Sequence, residues 1–192
     1  MHYLDKRLLL LGTVLLTVGL AGFMFEKTEI MQPRADQAVP VSNSVSDQRY
    51  FLIINKINVN APVILNVSGS DEQVYLKAIE HGVAHYEGTA LPGTTGNSVI
   101  FGHSAYYQQK PGNYKEVFKD LNQLAVGDQF MVRHLRDQWL YTVERSQVIS
   151  NDTLSVLEPT DAETITLLTC WPPKTTDKRY VVQAKRVLPS KI

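Results

Sequence analysis

The sequence predicts an all-β domain, a barrel or a sandwich, from three observations. Seven or eight short runs of β-branched, aromatic and aliphatic residues recur between residues 50 and 184, separated by stretches rich in Gly, Pro, Asn and Asp. Only two or three short stretches carry a helical period of apolar residues. No internal repeat or low-complexity tract interrupts the pattern. Strands this short and numerous bury their apolar faces by packing sheet on sheet or by closing one sheet on itself.

An N-terminal appendage precedes that domain. Residues 8–25 are uncharged and rich in Leu and Val, and Lys6-Arg7 stands just before them. A helix of that length at ~1.5 Å per residue spans roughly 27 Å, close to the ~30 Å of bilayer hydrocarbon. The preceding cations predict a cytoplasmic N-terminus and an exported remainder. The run is long for a signal-peptide core, and Ala21-Gly22-Phe23-Met24-Phe25-Glu26 is a poor cleavage site. An uncleaved transmembrane anchor over residues 1–27 is therefore expected. Residues 28–48 have no apolar period and carry Pro33, Pro40 and three serines, so they read as an extracytoplasmic linker. The folded domain is expected over residues 49–192.

Within it, Tyr50-Phe51-Leu52-Ile53-Ile54 makes a first strand and residues 61–67 a second, with Pro62 pointing to an edge or a bulge. Ser70-Asp71-Glu72 starts a short helix through Val74, Leu76, Ala78 and Ile79, closed by Gly82. Residues 83–86 are extended, and Asn97-Ser98-Val99-Ile100-Phe101 is a buried strand running into Gly102-His103-Ser104. Apolar residues at 114, 117, 118 and 121 predict a short amphipathic helix. Residues 129–134 and 139–143 alternate as a hairpin around Arg136-Asp137, continuing to Ile149. Thr164-Ile165-Thr166-Leu167-Leu168-Thr169-Cys170 is a further strand, which Trp171-Pro172-Pro173 should end, because proline cannot donate to a ladder. Residues 180–184 make the last.

Nineteen basic and nineteen acidic residues cancel, which leaves no basic field for nucleic acid. One cysteine excludes an intramolecular disulfide and a thiolate metal cage, and five histidines without ligand spacing give metal catalysis no support. An unpaired thiol in an exported domain needs a reason, since oxidising surroundings pair or damage it. Cys170 sits at a strand's rim rather than mid-core, where a lone cysteine is a small hydrophobe. A free thiol has a pKa near 8.5, so a histidine that holds the ion pair or shuttles protons makes it a far better nucleophile. His103 also ends a strand, but a spacing of 67 residues does not by itself pair the two.

Thr166-Leu167-Leu168-Thr169-Cys170 matches the TLxTC signature of sortases, the cell-surface cysteine transpeptidases. Gly102-His103 after an apolar strand resembles their catalytic histidine segment, and Arg179 resembles their catalytic arginine. Residues 85–93 and Gly96-Asn97 are similar to the stretch before that histidine, and residues 114–128 also fit. The resemblance covers residues 50–187. It implies an eight-stranded β-barrel with two or three short helices and a groove at its rim. It further implies that Cys170 attacks an LPxTG-like sorting signal between threonine and glycine. His103 would protonate the leaving amine, Arg179 would stabilise the oxyanion or the substrate backbone, and an envelope amine would resolve the thioacyl enzyme. The partners would be surface proteins bearing that signal, at the outer face of the cell membrane. No cofactor is implied; calcium activates some members, and no calcium site is legible in the scattered Glu and Asp.

Other candidates carry two readings each. Arg186 competes with Arg179, and the motif offset favours Arg179. Thr169 either bonds within the groove or packs in its strand. Trp171 either lines the groove or caps the core, and His85 either assists substrate binding or is a structural loop histidine. His81 and His134 read as structural. Leu91-Pro92-Gly93-Thr94 mimics a sorting motif, but Thr95 follows where glycine should stand, so it reads as a turn. The linker lacks the Asp-Pro-aromatic element that lids pilin-type members, which argues for a housekeeping or specialised anchoring role. Two rivals stand beside the transpeptidase: a thiol peptidase or amidase with water as acceptor, and a catalytically silent barrel that binds envelope partners.

Overall fold

The computed structural model describes residues 49–105 and 112–188. The anchor and linker expected before residue 49 lie outside them. Eight strands form a closed barrel: β1 (Tyr50–Ile54), β2 (Val59–Val67), β3 (Val83–Tyr86), β4 (Asn97–Phe101), β5 (Gln129–His134), β6 (Asp137–Ser150), β7 (Thr164–Trp171) and β8 (Lys178–Arg186). Around the barrel they run β1-β2-β3-β4-β7-β8-β6-β5 and back to β1. Two junctions are parallel, β2 with β3 and β4 with β7, and the others are antiparallel. Closure removes free edges. Pro62 precedes the first β2–β3 rung, Val63 with Val83, so it interrupts nothing on that side.

Period-two alternation sorts the side chains. Leu52, Ile54, Ile100, Val132, Tyr141, Ile165, Leu167, Val182 and Ala184 are buried in one cluster. The opposite parity faces outward, and on one side α1 (Glu72–Ile79) covers it. Asp71 caps that helix, its carboxylate accepting from the N–H groups of Gln73 and Val74 at 3.0 and 3.2 Å. Ile79 packs with Val67, Ala84 and Phe101 in a second, smaller cluster. Gly82 lets the chain turn from α1 into β3. A Cβ there would stand 2.2 Å from the Pro62 carbonyl oxygen.

Two expectations change. The helix expected at 114–121 is a series of turns leading into a 3-10 turn at Leu121–Gln123. Its apolar spacing is real, since Phe118 and Leu121 are fully buried. The Phe118 N–H, however, donates to the His103 carbonyl at 2.9 Å instead of reaching back along its own segment. Strand β7 also runs one residue past the cysteine, to Trp171, and ends at the cis Trp171-Pro172 peptide. Among the described residues α1 is the one α-helix, accompanied by three 3-10 turns.

Candidate active site

The parallel junction of β4 and β7 pairs Phe101 with Leu168. The same offset of 67, carried past the end of β4, sets Gly102 level with Thr169 and His103 level with Cys170. Two bonds hold that extension. The Gly102 N–H donates to the Leu168 carbonyl at 3.2 Å, and the Thr169 hydroxyl donates to the Gly102 carbonyl at 2.8 Å. Thr169 is 3% exposed, so its hydroxyl is a strap between the two strands at the point where the histidine leaves the sheet.

On the other flank of β7, Cys170 is the direct antiparallel partner of Arg179. Side chains of such a pair share a face, ~5 Å apart at Cβ. The Arg179 Nη1 donates to the carbonyls of Thr176 and Lys178 at 2.9 and 3.0 Å, which ties the guanidinium to the β7–β8 loop. Cys170 is half-buried and unpaired. His103, Cys170 and Arg179 therefore come from three adjacent strand segments. They line one cleft of about 1010 Å³ on the outer face of the barrel, between α1 and the 151–157 segment.

Burial pushes the His103 imidazole below its ordinary value of 6.5, and the Glu80 charge opposes this to a lesser degree. The ring is thus a neutral base at pH 7. A half-buried thiol, a neutral imidazole and a fixed guanidinium on one wall can carry out acyl transfer: a nucleophile, a proton carrier and an oxyanion donor.

A family model described as the Sortase domain matches residues 52–187. The chain belongs to the sortase family. It is 26% identical over 141 residues to Sortase D of Bacillus subtilis (strain 168), a match covering 71% of this chain and 63% of that relative, so less than two thirds of the relative's length is spanned. Among solved structures it is similar to a Clostridium perfringens Sortase D5 transpeptidase, with 31% identity, a TM-score of 0.59 and coverage of 74% of this chain and 80% of that one. Similarity to sortase C1 from Streptococcus agalactiae gives a TM-score of 0.62 at 27% identity, covering 75% and 70%.

In this sortase two residues expected in the groove stand elsewhere. His85 is fully buried and does not line the cleft. Its Nδ1 accepts from the Asn66 N–H at 3.3 Å, so Nε2 carries the proton and faces the Ala90 carbonyl at 2.9 Å and the Thr89 hydroxyl oxygen at 3.0 Å. It staples β2 to the 86–90 turn, the structural reading. Trp171 has the strand parity of the buried Leu167, opposite to Cys170, and its ring packs at a tilt against Tyr180, centroids 5.3 Å apart. Tyr180 in turn packs on the core, so Trp171 caps the barrel end.

Arg186 lies far from Cys170 along β8. It pairs with Tyr141 across the ladder and with the Glu163 carboxylate at 3.7 Å. Seven residues of strand, on the order of 23 Å, separate it from Arg179. His134 stacks on Tyr50 at 4.1 Å, and His81 Nδ1 lies 3.0 Å from the Lys77 carbonyl. Neither lines the cleft. Among the described residues no cluster of three His, Cys, Asp or Glu side chains forms a metal site.

Three contributors escape the sequence reading. Thr176 and Lys178 act through backbone carbonyls, which no side-chain pattern reveals. Asn97, 2% exposed at the start of β4, links the cleft wall to the sheet. A polar residue opening an apolar strand beside Gly96 was the available signal, and it carried no chemistry of its own.

Proposed function

We propose that this protein is a cysteine transpeptidase that cleaves an LPxTG-like sorting signal and transfers the released acyl group to an amine of the cell envelope. The observation that carries the reading is the alignment of His103 and Arg179 on either side of Cys170 in one cleft. His103 takes the thiol proton as the Cys170 sulfur attacks the scissile carbonyl carbon, and negative charge moves to the carbonyl oxygen. Arg179 donates to that oxygen through Nε and Nη2, which make no bond to the described residues. The C–N bond breaks as His103 gives its proton to the leaving amine, and a thioester remains on Cys170. The acceptor amine then attacks the thioester and loses a proton to His103, which passes it to the Cys170 sulfur as the C–S bond breaks.

Membership in the sortase family supports surface proteins as donors and an envelope amine as acceptor. The apolar run at 8–25 supports a single membrane anchor with the catalytic domain outside. Water is the competing acceptor. Residues 49–192 incubated with a sorting-peptide library should form a thioacyl adduct at Cys170, detectable by intact-mass measurement, and Cys170→Ala should form none. Products measured with and without an added amine distinguish transfer from hydrolysis. Unchanged peptide cleavage by Cys170→Ala would overturn the mechanism.

A further inference from the structure

One wall of the cleft is the segment after β6, where Asn151, Thr153, Leu154, Val156 and Leu157 line it. Part of that wall is a single 3-10 turn, Ser155–Leu157, with no side-chain cap of its own. So short a turn does not hold itself in place. Leu154 is 71% exposed, so packing does not hold that end of the wall; Val156 is buried and anchors the turn itself.

The tether comes from the sheet. The two Nδ2 hydrogens of Asn97 go to the carbonyls of Val156 and Glu158, at 2.8 and 3.0 Å, on either side of Leu157. Its Oδ1 accepts from the Thr166 hydroxyl at 2.7 Å, and Thr166 Oγ1 accepts from Gln183 Nε2 at 3.2 Å. The Gln183 Oε1 accepts from Arg145 Nε. The chain of bonds crosses β6, β8, β7 and β4 and ends on the cleft wall. Asn97 and Thr166 are both buried. The carboxamide can face only one way, because its reversed orientation would set an oxygen against two carbonyl oxygens. Thr166 is four residues before Cys170 on the same strand, so the nucleophile and the opposite wall share one frame.

We propose that Asn97, oriented by Thr166, is a positioning residue that fixes the 155–158 wall of the cleft and so sets peptide affinity. It touches neither the thiol nor the reacting carbonyl. The peptide part of this inference rests on the transpeptidase reading; the tethering part does not.

Hydrogen exchange on wild type, Asn97→Ala and Thr166→Val decides the tether. Amides in 153–160 should exchange at least tenfold faster in both variants, while β4 and β7 keep their protection. Asn97→Asp, which sets a carboxylate against the same two carbonyls, should loosen the wall as much as Asn97→Ala. Unchanged exchange at 153–160, or loss of protection across the whole sheet, overturns the proposal. Should Asn97→Ala not fold, Thr166→Val, which keeps shape and burial, decides the tether alone. With a cleaved peptide in hand, KM should rise about tenfold with kcat within twofold of wild type. A fall in kcat at constant KM overturns the assigned role. Alkylation of Cys170 by a small thiol reagent should proceed at the wild-type rate in both variants, and a changed rate overturns the positioning role as well. If wild type turns over no peptide, that failure belongs to the proposed function, and the exchange experiment still decides the tether.

Discussion

Burial sets the protonation of both histidines inside the barrel wall, and it acts in one direction. Desolvation lowers the pKa of His85 and of His103 from 6.5, with hydrogen bonds that the His85 ring makes to the 89–90 turn opposing it at His85 and the Glu80 charge opposing it at His103. A group whose folded pKa is lowered binds fewer protons folded than unfolded just below 6.5. The stability it contributes is complete above pH 6.5 and is lost as pH falls through the folded values. Urea midpoints should therefore decline from pH 7 towards pH 5, and His85→Gln should flatten part of that decline. A midpoint rising on acidification would contradict the assignment. The two arginines of β8 make an independent test at this scale. Arg179→Ala should lower kcat/KM by about a hundredfold or more, as loss of an oxyanion donor does. Arg186→Ala should leave kcat/KM within a few-fold of wild type, because its guanidinium serves Glu163 and the Leu140 carbonyl. Reversal of the two results would move the oxyanion donor to the other end of the strand.

Strand β7 supplies Cys170 and also meets both partner strands. Its parallel ladder to β4 carries the histidine segment, and its antiparallel ladder to β8 carries the arginine. The Thr169 hydroxyl is the last strap of the first ladder. Thr169→Val keeps shape and β-propensity but leaves the Gly102 carbonyl without its donor, a cost of about 1–3 kcal/mol. Urea unfolding should show that loss, and adduct formation at Cys170 should slow with it; a full-rate, fully stable variant would show that the strap is idle. The turn segment 114–121 shows how one external bond redirects an element. Its apolar period is that of a helix, yet the Phe118 N–H serves His103 and the segment becomes turns. That exchange gives the His103 segment a second fixed point, on the side away from β7.

For the molecule as a whole, closure of eight strands makes the interior one connected cluster, so a cavity anywhere in it is felt globally. Leu167→Ala, fully buried between β4 and β8, should cost about 2–5 kcal/mol in chemical unfolding. Leu154→Ala, 71% exposed at the cleft wall, should stay within about 0.5 kcal/mol. Equal costs would mean that the wall and core are not the separate layers described. Much of this architecture was legible from residue order alone. Period-two alternation marks a strand locally, and Gly, Pro and Asp mark its ends, so each of the eight strands was found and Cys170 and His103 were placed at strand ends before any pairing was known. TLLTC, Gly102-His103 and Arg179 supplied the family. What local pattern does not carry is partnership between distant segments. The 67-residue offset that levels His103 with Cys170 is a property of the β4–β7 junction. The motif offset favours Arg179 over Arg186, and register supplies the physical reason: Arg179 is the direct partner of Cys170, whereas Arg186 pairs with Tyr141. His85 and Trp171 read as groove candidates because residue type says nothing of burial or face. The barrel turned one to the backbone and the other to its capped end. Residue order determined the strands and the reactive groups at their ends; only closure of the barrel decided which of those groups meet, because register is set by packing across the sheet and not by neighbours along the chain.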